Sequence, residues 1–391
     1  MPPTTHDTCE ALLANMVSFD TVNSSISGNP DAEVELASYL ETVAGAMGFA
    51  TQRLALEGKS FNLLVMHEID PAAPWLMFES HMDTVMVEGM TIDPFKAEFC
   101  DGRIYGRGAC DTKGTGAAML WALKQYASDD GPNNVAIAFT TDEEVGKFGA
   151  RMLTAKQMPT FGWRPVGAVV GEPTMLKPIV AHNGVARWKI VTHGIAAHSA
   201  DPNKGRSAIS MMMEVIDMIE QRYAPSLTAS HTLTGKAECT VNVIRGGVQV
   251  NVIPERCEIE IDRRIVPGED GAIVAPSVEA LLDELRKQDA DLVVEQEKQY
   301  LDAPIDPVGG EAFAAIVQGV LGEMKLSTEL SGARYSTDAS QFAEIGIPVV
   351  VLGPGDIAQA HTKDEWLALA QLHRGFDVYR RLMQADLKGI T

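Results

Sequence analysis

PWLMFESHMDTV (74–85), VAIAFTTDEEVG (135–146) and VGAVVGEPT (166–174) share one grammar: a short apolar run that stops at or just before a histidine or a carboxylate. Apolar runs of about four to eight residues bounded by turn formers read as strands buried on both faces. In α/β sheets the chemistry collects in the loops beyond the carboxyl ends of such strands. His81 and Asp83 follow the first run, Glu143 and Glu144 the second, and Glu172 the third. Asp111, in GRGACDTKGTG (106–116), and His361, near the C-terminus, add two further donors. Histidine nitrogen and carboxylate oxygen are ligands that zinc favours, and their conjunction at strand ends points to one bimetallic pocket.

Taken singly, each residue has a plainer reading. Asp111 precedes an apolar helical stretch, AAMLWALKQY (117–126), and alone it reads as a helix cap. In company its short side chain bridges two ions, with glycines at 108, 114 and 116 drawing the backbone close. Asp83, two residues beyond His81, is placed to take the second ring nitrogen of a ligating histidine. Glu143 and Glu144 diverge from a strand end, so one can bind metal while the other handles a water's proton; spacing leaves open which does which.

The pattern predicts helices over 31–47 and 114–127 and strands over 61–67, 75–79, 134–140 and 166–171, an α/β layer arrangement. Between 179 and 298 the order changes to strand, helix (SAISMMMEVIDMIEQR, 207–222), two strands with strict alternation in the second (RCEIEIDRRIV, 256–266), helix and strand. That is a βαββαβ, ferredoxin-like unit. The methionines at 211–213 fall at helical spacing with Ile209, Ile216 and Ile219 and read as core or dimer packing. Helix–strand alternation then resumes, ending in one amphipathic helix over 364–383. Because His361 lies beyond the insert, the expected architecture is a discontinuous catalytic domain (1–178 and 299–391) with helices around a mainly parallel sheet, plus an inserted lid and dimerisation domain (179–298).

These segments resemble the dinuclear zinc amidohydrolases and metallopeptidases that include acetylornithine deacetylase, succinyl-diaminopimelate desuccinylase, aminoacylase and glutamate carboxypeptidase. The matching stretches are SHMDTV (80–85), GRGACDTKG (106–114), TDEEVG (141–146), GEPT (171–174), GIAAHSADP (194–202), NVIP (251–254) and LGPGDIAQAHTKDE (352–365), in family order over nearly the whole chain. The resemblance implies that His81 and Glu172 hold one zinc, Glu144 and His361 the other, and Asp111 bridges them. It makes Asp83 the orienter of His81 and Glu143 the general base, and places a cis peptide at Asp111–Thr112. It also brings His198 from the lid of a partner subunit to polarise the scissile carbonyl, and sets Asn251 and Arg264 to grip substrate. Cobalt or manganese can stand in for zinc in such a site.

The implied activity is metal-dependent hydrolysis of the amide bond of an N-acyl amino acid, as in a deacetylase or desuccinylase of amino-acid metabolism. HSADPNKGRSAI (198–209) lies close to acetylornithine deacetylase, whereas STDAS (336–340) lies nearer the desuccinylase and carboxypeptidase pattern. An exopeptidase acting on dipeptides or short peptides is the competing reading. A non-catalytic zinc-dependent binding protein is disfavoured because Glu143 and all five ligands are retained. For a substrate carboxylate, Arg264 is the first candidate and Arg334 the second.

A net charge of −21 argues against nucleic-acid and anionic-membrane partners, and 391 residues exceed one ordinary core. The N-terminus lacks a basic region followed by an apolar stretch, and no apolar run is long enough to span a bilayer, so the expected address is the cytoplasm. Five scattered cysteines read as reduced packing residues, Cys110 included, since no His or Asn pattern supports a nucleophile. His6, His67, His231 and His373 have no motif context and read as surface.

Overall fold

The computed structural model describes residues 7–129 and 131–390; His6 lies outside them. The chain divides into two compact units. One comprises the residues up to Val180, Pro307–Ser331 and the chain from Thr337 onward; the other comprises Ala181–Asp306 and Gly332–Ser336. Against the expected borders at 179 and 298, the insert keeps eight more residues and takes back a short later stretch. Pairing explains both. Tyr300–Asp302 runs antiparallel to Gly184–His193, and Ser336 hydrogen-bonds the Asp302 carboxylate.

The first unit is built on a sheet in which the strands lying wholly within the unit follow the order Ala50–Ala55, Phe61–His67, Asn134–Thr140, Trp75–His81, Pro165–Val170 and Val349–Val351. The expected mainly parallel sheet is parallel only in its centre, where Asn134–Thr140, Trp75–His81, Pro165–Val170 and Val349–Val351 run together. Ala50–Ala55 and Phe61–His67 pair antiparallel because a short turn, closed by Leu56 N–H to the Ser60 carbonyl, makes them a hairpin. Every residue of the adjacent strands Trp75–His81 and Asn134–Thr140 is buried, as their apolar stretches WLMF and VAIAF predict.

Helix Lys113–Tyr126 is buried from Lys113 through Leu123, so it is a core helix rather than an amphipathic one. Gly114 is what allows its close approach: a Cβ there would lie 2.6 Å from Leu367 Cδ2 and deeper still against the Ala109 carbonyl. Leu369–Met383 is amphipathic, burying Leu372, Val378, Tyr379, Leu382 and Met383. Its Tyr379 hydroxyl donates to the Leu352 carbonyl at 2.8 Å. The helix does not begin where its periodicity suggests. Trp366–Ala368 is a strand paired with Arg103–Tyr105, and the Arg103 guanidinium lies 3.9 Å from the Trp366 ring centroid. His67 is half-buried against Phe49 and Tyr126, contrary to its surface reading.

In the second unit, strands Gly184–His193, Glu238–Gly246, Arg256–Ile265 and Val293–Gln296 alternate with helices Ala208–Met218 and Val274–Gln288 in the order βαββαβ. The strands are wholly antiparallel, with Glu238–Gly246 on one edge, then Arg256–Ile265, Gly184–His193 and Val293–Gln296. This is the ferredoxin-like strand order. Alternation in Arg256–Ile265 buries Cys257, Ile259, Ile261 and Ile265, and also Arg263, which the Glu269 carboxylate meets at 2.7 Å. Met211 and Met212 join this core while Met213 is exposed. Among the described residues no helix is long and apolar enough to cross a membrane. All five cysteines are free.

Two glycines in helices test this packing. Gly114→Ala should destabilise by about 1–3 kcal/mol, since the new methyl overpacks a backbone contact. Gly319→Ala, at a helical position where a Cβ meets nothing within 4 Å, should stabilise by about 0.4–1 kcal/mol. Thermal melting of the two variants against the parent reads both signs.

Candidate metal centre

Four of the ligand-bearing segments leave the carboxyl ends of the four mutually parallel strands. His81 ends Trp75–His81, Glu143 and Glu144 follow Asn134–Thr140, Glu172 follows Pro165–Val170, and His361 lies beyond Val349–Val351. Asp111 comes from the turn before helix Lys113–Tyr126, and the Asp111–Thr112 peptide is cis. The first unit therefore brings together His81, Asp83, Asp111, Glu143, Glu144, Glu172 and His361.

Asp111 occupies the middle. Its Oδ1 lies 3.2 Å from His81 Nε2 and its Oδ2 lies 3.5 Å from His361 Nε2. His361 Nε2 is also 3.1 Å from Glu144 Oε2, and His81 Nε2 is 4.0 Å from Glu172 Oε1. Ligand atoms around a tetrahedral zinc sit about 3.3–3.5 Å apart, given metal–ligand bonds near 2.0–2.2 Å. One carboxylate thus presents separate oxygens to two imidazoles at ligand-pair spacing. Within 4.8 Å the donor atoms form two groups, His81 with Asp111 and Glu144, and His81 with Glu143 and Glu172. Glu143 and Glu144 each fall in one of these groups, so membership alone does not divide their roles.

The electrostatics call for cations. Burial, then the charge of Asp111, pushes Glu144 and Glu172 well above the ordinary carboxyl range, and burial raises Glu143 as well. Burial opposes a charged His81, but Asp111, Asp83 and Glu172 outweigh it and hold the imidazole well above its usual value. Glu144 Oε1 is buried without a hydrogen-bond partner. Crowded interior carboxylates with an orphaned oxygen fit divalent ions, which supply the missing positive charge.

Asp83 does more than the expected orientation of His81. The nearest partner of His81 Nδ1 is the Asp83 backbone carbonyl at 3.0 Å, with the carboxylate at 3.5 Å. The carboxylate itself accepts the backbone N–H groups of Glu143 (3.0 Å) and Glu144 (3.1 Å) and the Asn23 amide (2.8 Å). One buried side chain therefore fixes His81 and the start of the glutamate loop together. Asn23 went unnoticed in the sequence; SFDTVNS (18–24) carries no metal-ligand pattern. Lys147 was also missed. Its Nζ lies 3.7 Å from Glu143 Oε1 with the lysine side chain 5% exposed, and its left-handed backbone is invisible to motif reading.

His198, Asn251 and Arg264 belong to the second unit. His198 is exposed on a two-residue strand opposite Val252, and its Nδ1 accepts from the Ala200 N–H at 3.1 Å. The Asn251 carbonyl accepts from Ser199 N–H at 3.0 Å. Arg264 is held by Asp262, with Nε at 2.7 Å from one oxygen and Nη2 at 3.4 Å from the other. Asp262 also meets Arg187 at 2.9 Å. Arg334 is more exposed, its nearest carboxylate being Glu238 at 3.9 Å. Cys110 is buried in the first unit, and burial, then Glu365, pushes its thiol well up, which removes it as a nucleophile.

The chain is similar to known proteins over most of its length. Residues 77–385 match the peptidase family M20/M25/M40. The chain is 32% identical over 347 residues to an acetylornithine deacetylase of Pasteurella multocida, covering 85% of this chain and 86% of that one. It is 26% identical over 416 residues to a probable succinyl-diaminopimelate desuccinylase of Staphylococcus epidermidis, covering 96% and 97%. Among solved structures, an M20 family metallo-carboxypeptidase from Sulfolobus solfataricus superposes with a TM-score of 0.78 over 97% of this chain and 99% of that one, at 16% identity, a likeness of fold. The chain belongs to the peptidase family M20/M25/M40, a family of metal-dependent hydrolases of amide bonds.

Proposed function

We propose that this enzyme hydrolyses the amide bond of an N-acyl amino acid at a two-metal centre, with His81 and Glu172 on one ion, Glu144 and His361 on the other, and Asp111 shared. The observation that carries the reading is the Asp111 carboxylate, whose two oxygens address His81 and His361 separately. Zinc suits the donor set, and cobalt or manganese substitutes for it. When bound, the ions supply Lewis acidity towards the carbonyl oxygen and acidify a water.

The chain's own residues do the rest. Glu143 accepts the proton of the attacking water and delivers it to the leaving amine as the C–N bond breaks. Asp83 fixes the backbone from which Glu143 projects. Relatives named acetylornithine deacetylase and desuccinylase support an N-acyl amino acid as substrate. Its free carboxylate is assigned to Arg264, already oriented by Asp262, with Asn251 beside His198 as a second grip. Glu238–Gly246 is an edge strand of the second unit, which supports a homodimer formed through that unit with His198 reaching the partner's centre. A panel of N-acyl amino acids against dipeptides tests the substrate class; preference for dipeptides moves the assignment to an exopeptidase.

Glu143→Gln should keep full metal content and lose ~10²–10⁴ or more in turnover. Loss of an ion in this variant, read by elemental analysis, would reverse the roles of the two glutamates.

Metal and pH should be coupled. In the metal-free protein Glu144, Glu172 and His81 all have folded values above their unfolded ones. Their stabilising contribution is complete below the unfolded values, about 4.3 for Glu and about 6.5 for His, and is lost as pH rises through the folded ones. Metal ions require the deprotonated ligands and recover that loss. The gain in melting temperature on adding zinc should therefore grow from about pH 5 to about pH 8; a gain that shrinks over this range contradicts the ligand set.

Co-expression reads the dimer. His198→Ala and Glu143→Gln homodimers should each be nearly inactive. About half of randomly paired dimers are mixed, and each mixed dimer has one intact site, so about a quarter of parental activity should return. Demonstrated heterodimers without recovery would remove His198 from the partner's site.

A further inference from the structure

Glu365 lies four residues beyond His361 and is fully buried. Its carboxylate is spent on the loop that carries Asp111. Oε1 accepts the backbone N–H groups of Cys110 at 2.8 Å and Asp111 at 3.0 Å. Oε2 accepts Gly108 N–H at 3.0 Å and Arg107 Nη1 at 2.8 Å. Four donors fill about the four lone-pair sites that a carboxylate offers. The main chain joins in, since Gly106 N–H donates to the Glu365 carbonyl at 3.0 Å. A loop from the first third of the sequence is thus wrapped around one side chain from its C-terminal part.

We propose that Glu365 is a positioning residue that makes the two metal positions one unit, by fixing the main chain of the shared ligand Asp111 relative to the segment that presents His361. The inference rests on the two-metal reading. Asp111 and His361 come from separate elements, and the pair Asp111 Oδ2 and His361 Nε2, 3.5 Å apart, faces a common ion only if the two segments hold their register. No hydrogen bond joins the Asp111 and His361 main chains directly among the described residues. Glu365 supplies the link with charge-assisted bonds, the stronger kind. The other position is less dependent on it: His81 is anchored by the Asp83 carbonyl, and both His81 and Glu172 are buried at ends of the central strands.

The two positions should therefore respond unequally to its loss. Glu365→Gln keeps the shape but turns one acceptor oxygen into a donor amide facing N–H groups. Metal-free wild-type and variant proteins are titrated with Zn2+ by calorimetry, and with Co2+ by its visible spectrum. The wild type should take up two ions per chain. The variant should bind the first within about threefold of wild type and the second ~10–100-fold more weakly, the usual cost of losing a group that holds a ligand in place. Glu365→Asp, which keeps the charge and shortens the reach, should show the same selective loss to a smaller extent, and it decides the matter if Glu365→Gln does not fold. Wild-type affinity at both positions overturns the proposal. So does an equal loss at both in step with a fall in metal-free melting temperature, which marks a merely structural residue. A wild-type protein that takes up one ion or none instead strikes the two-metal reading itself, so the two failures are told apart.

Discussion

The constraint on which this molecule turns is the burial of like charge. Asp111, Glu143, Glu144 and Glu172 are gathered around a single enclosed imidazole, and burial drives the three glutamates up from their ordinary range. An isolated ionised carboxylate in a protein interior is costly, and four together are tolerable only with protons or cations among them. Protons neutralise such a cluster at the cost of its ligand oxygens; divalent ions would supply the charge and leave the oxygens free to coordinate. The same crowding that destabilises the empty cluster is what gives it affinity for metal.

A cluster under such repulsion stays assembled only if its backbone is held from behind. Asp83 holds His81, Glu143 and Glu144 through their main-chain and ring atoms, and Glu365 holds the Asp111 loop. Both are fully buried carboxylates whose oxygens are occupied by N–H donors. Burial opposes ionisation of Asp83, but His81 and then Asn23 and Glu143 hold it below the usual carboxyl range. The contrast is chemical: Asp83 and Glu365 have their oxygens occupied by N–H donors, whereas the candidate ligand Glu144 keeps a buried oxygen without a hydrogen-bond partner.

The two units carry different kinds of function. The first supplies every candidate ligand and the candidate base, all but Asp111 from segments beyond the ends of parallel strands, where strand direction converges them without any local sequence proximity. The second is a separate antiparallel sheet with its own core. The groups assigned to substrate there, His198, Asn251 and Arg264, sit on strands and turns rather than in a metal cluster.

The sequence by itself determined the strands that matter and the side chains at their ends. Runs such as WLMF and VAIAF are apolar because both faces are buried, and the candidate site residues lie just beyond the strands that contain them. The βαββαβ order of the insert was equally legible, since alternation and helical periodicity are local properties. Tertiary structure alone decided the antiparallel pairing of Phe61–His67 with Asn134–Thr140 and the strand at Trp366–Ala368, because each depends on a partner far along the chain. It alone showed that the Asp83 carboxylate grips backbone about 60 residues away and Glu365 about 254 residues away. Bonds to main-chain N–H groups leave no trace in residue type at the donor end, so no pattern of side chains could have announced them.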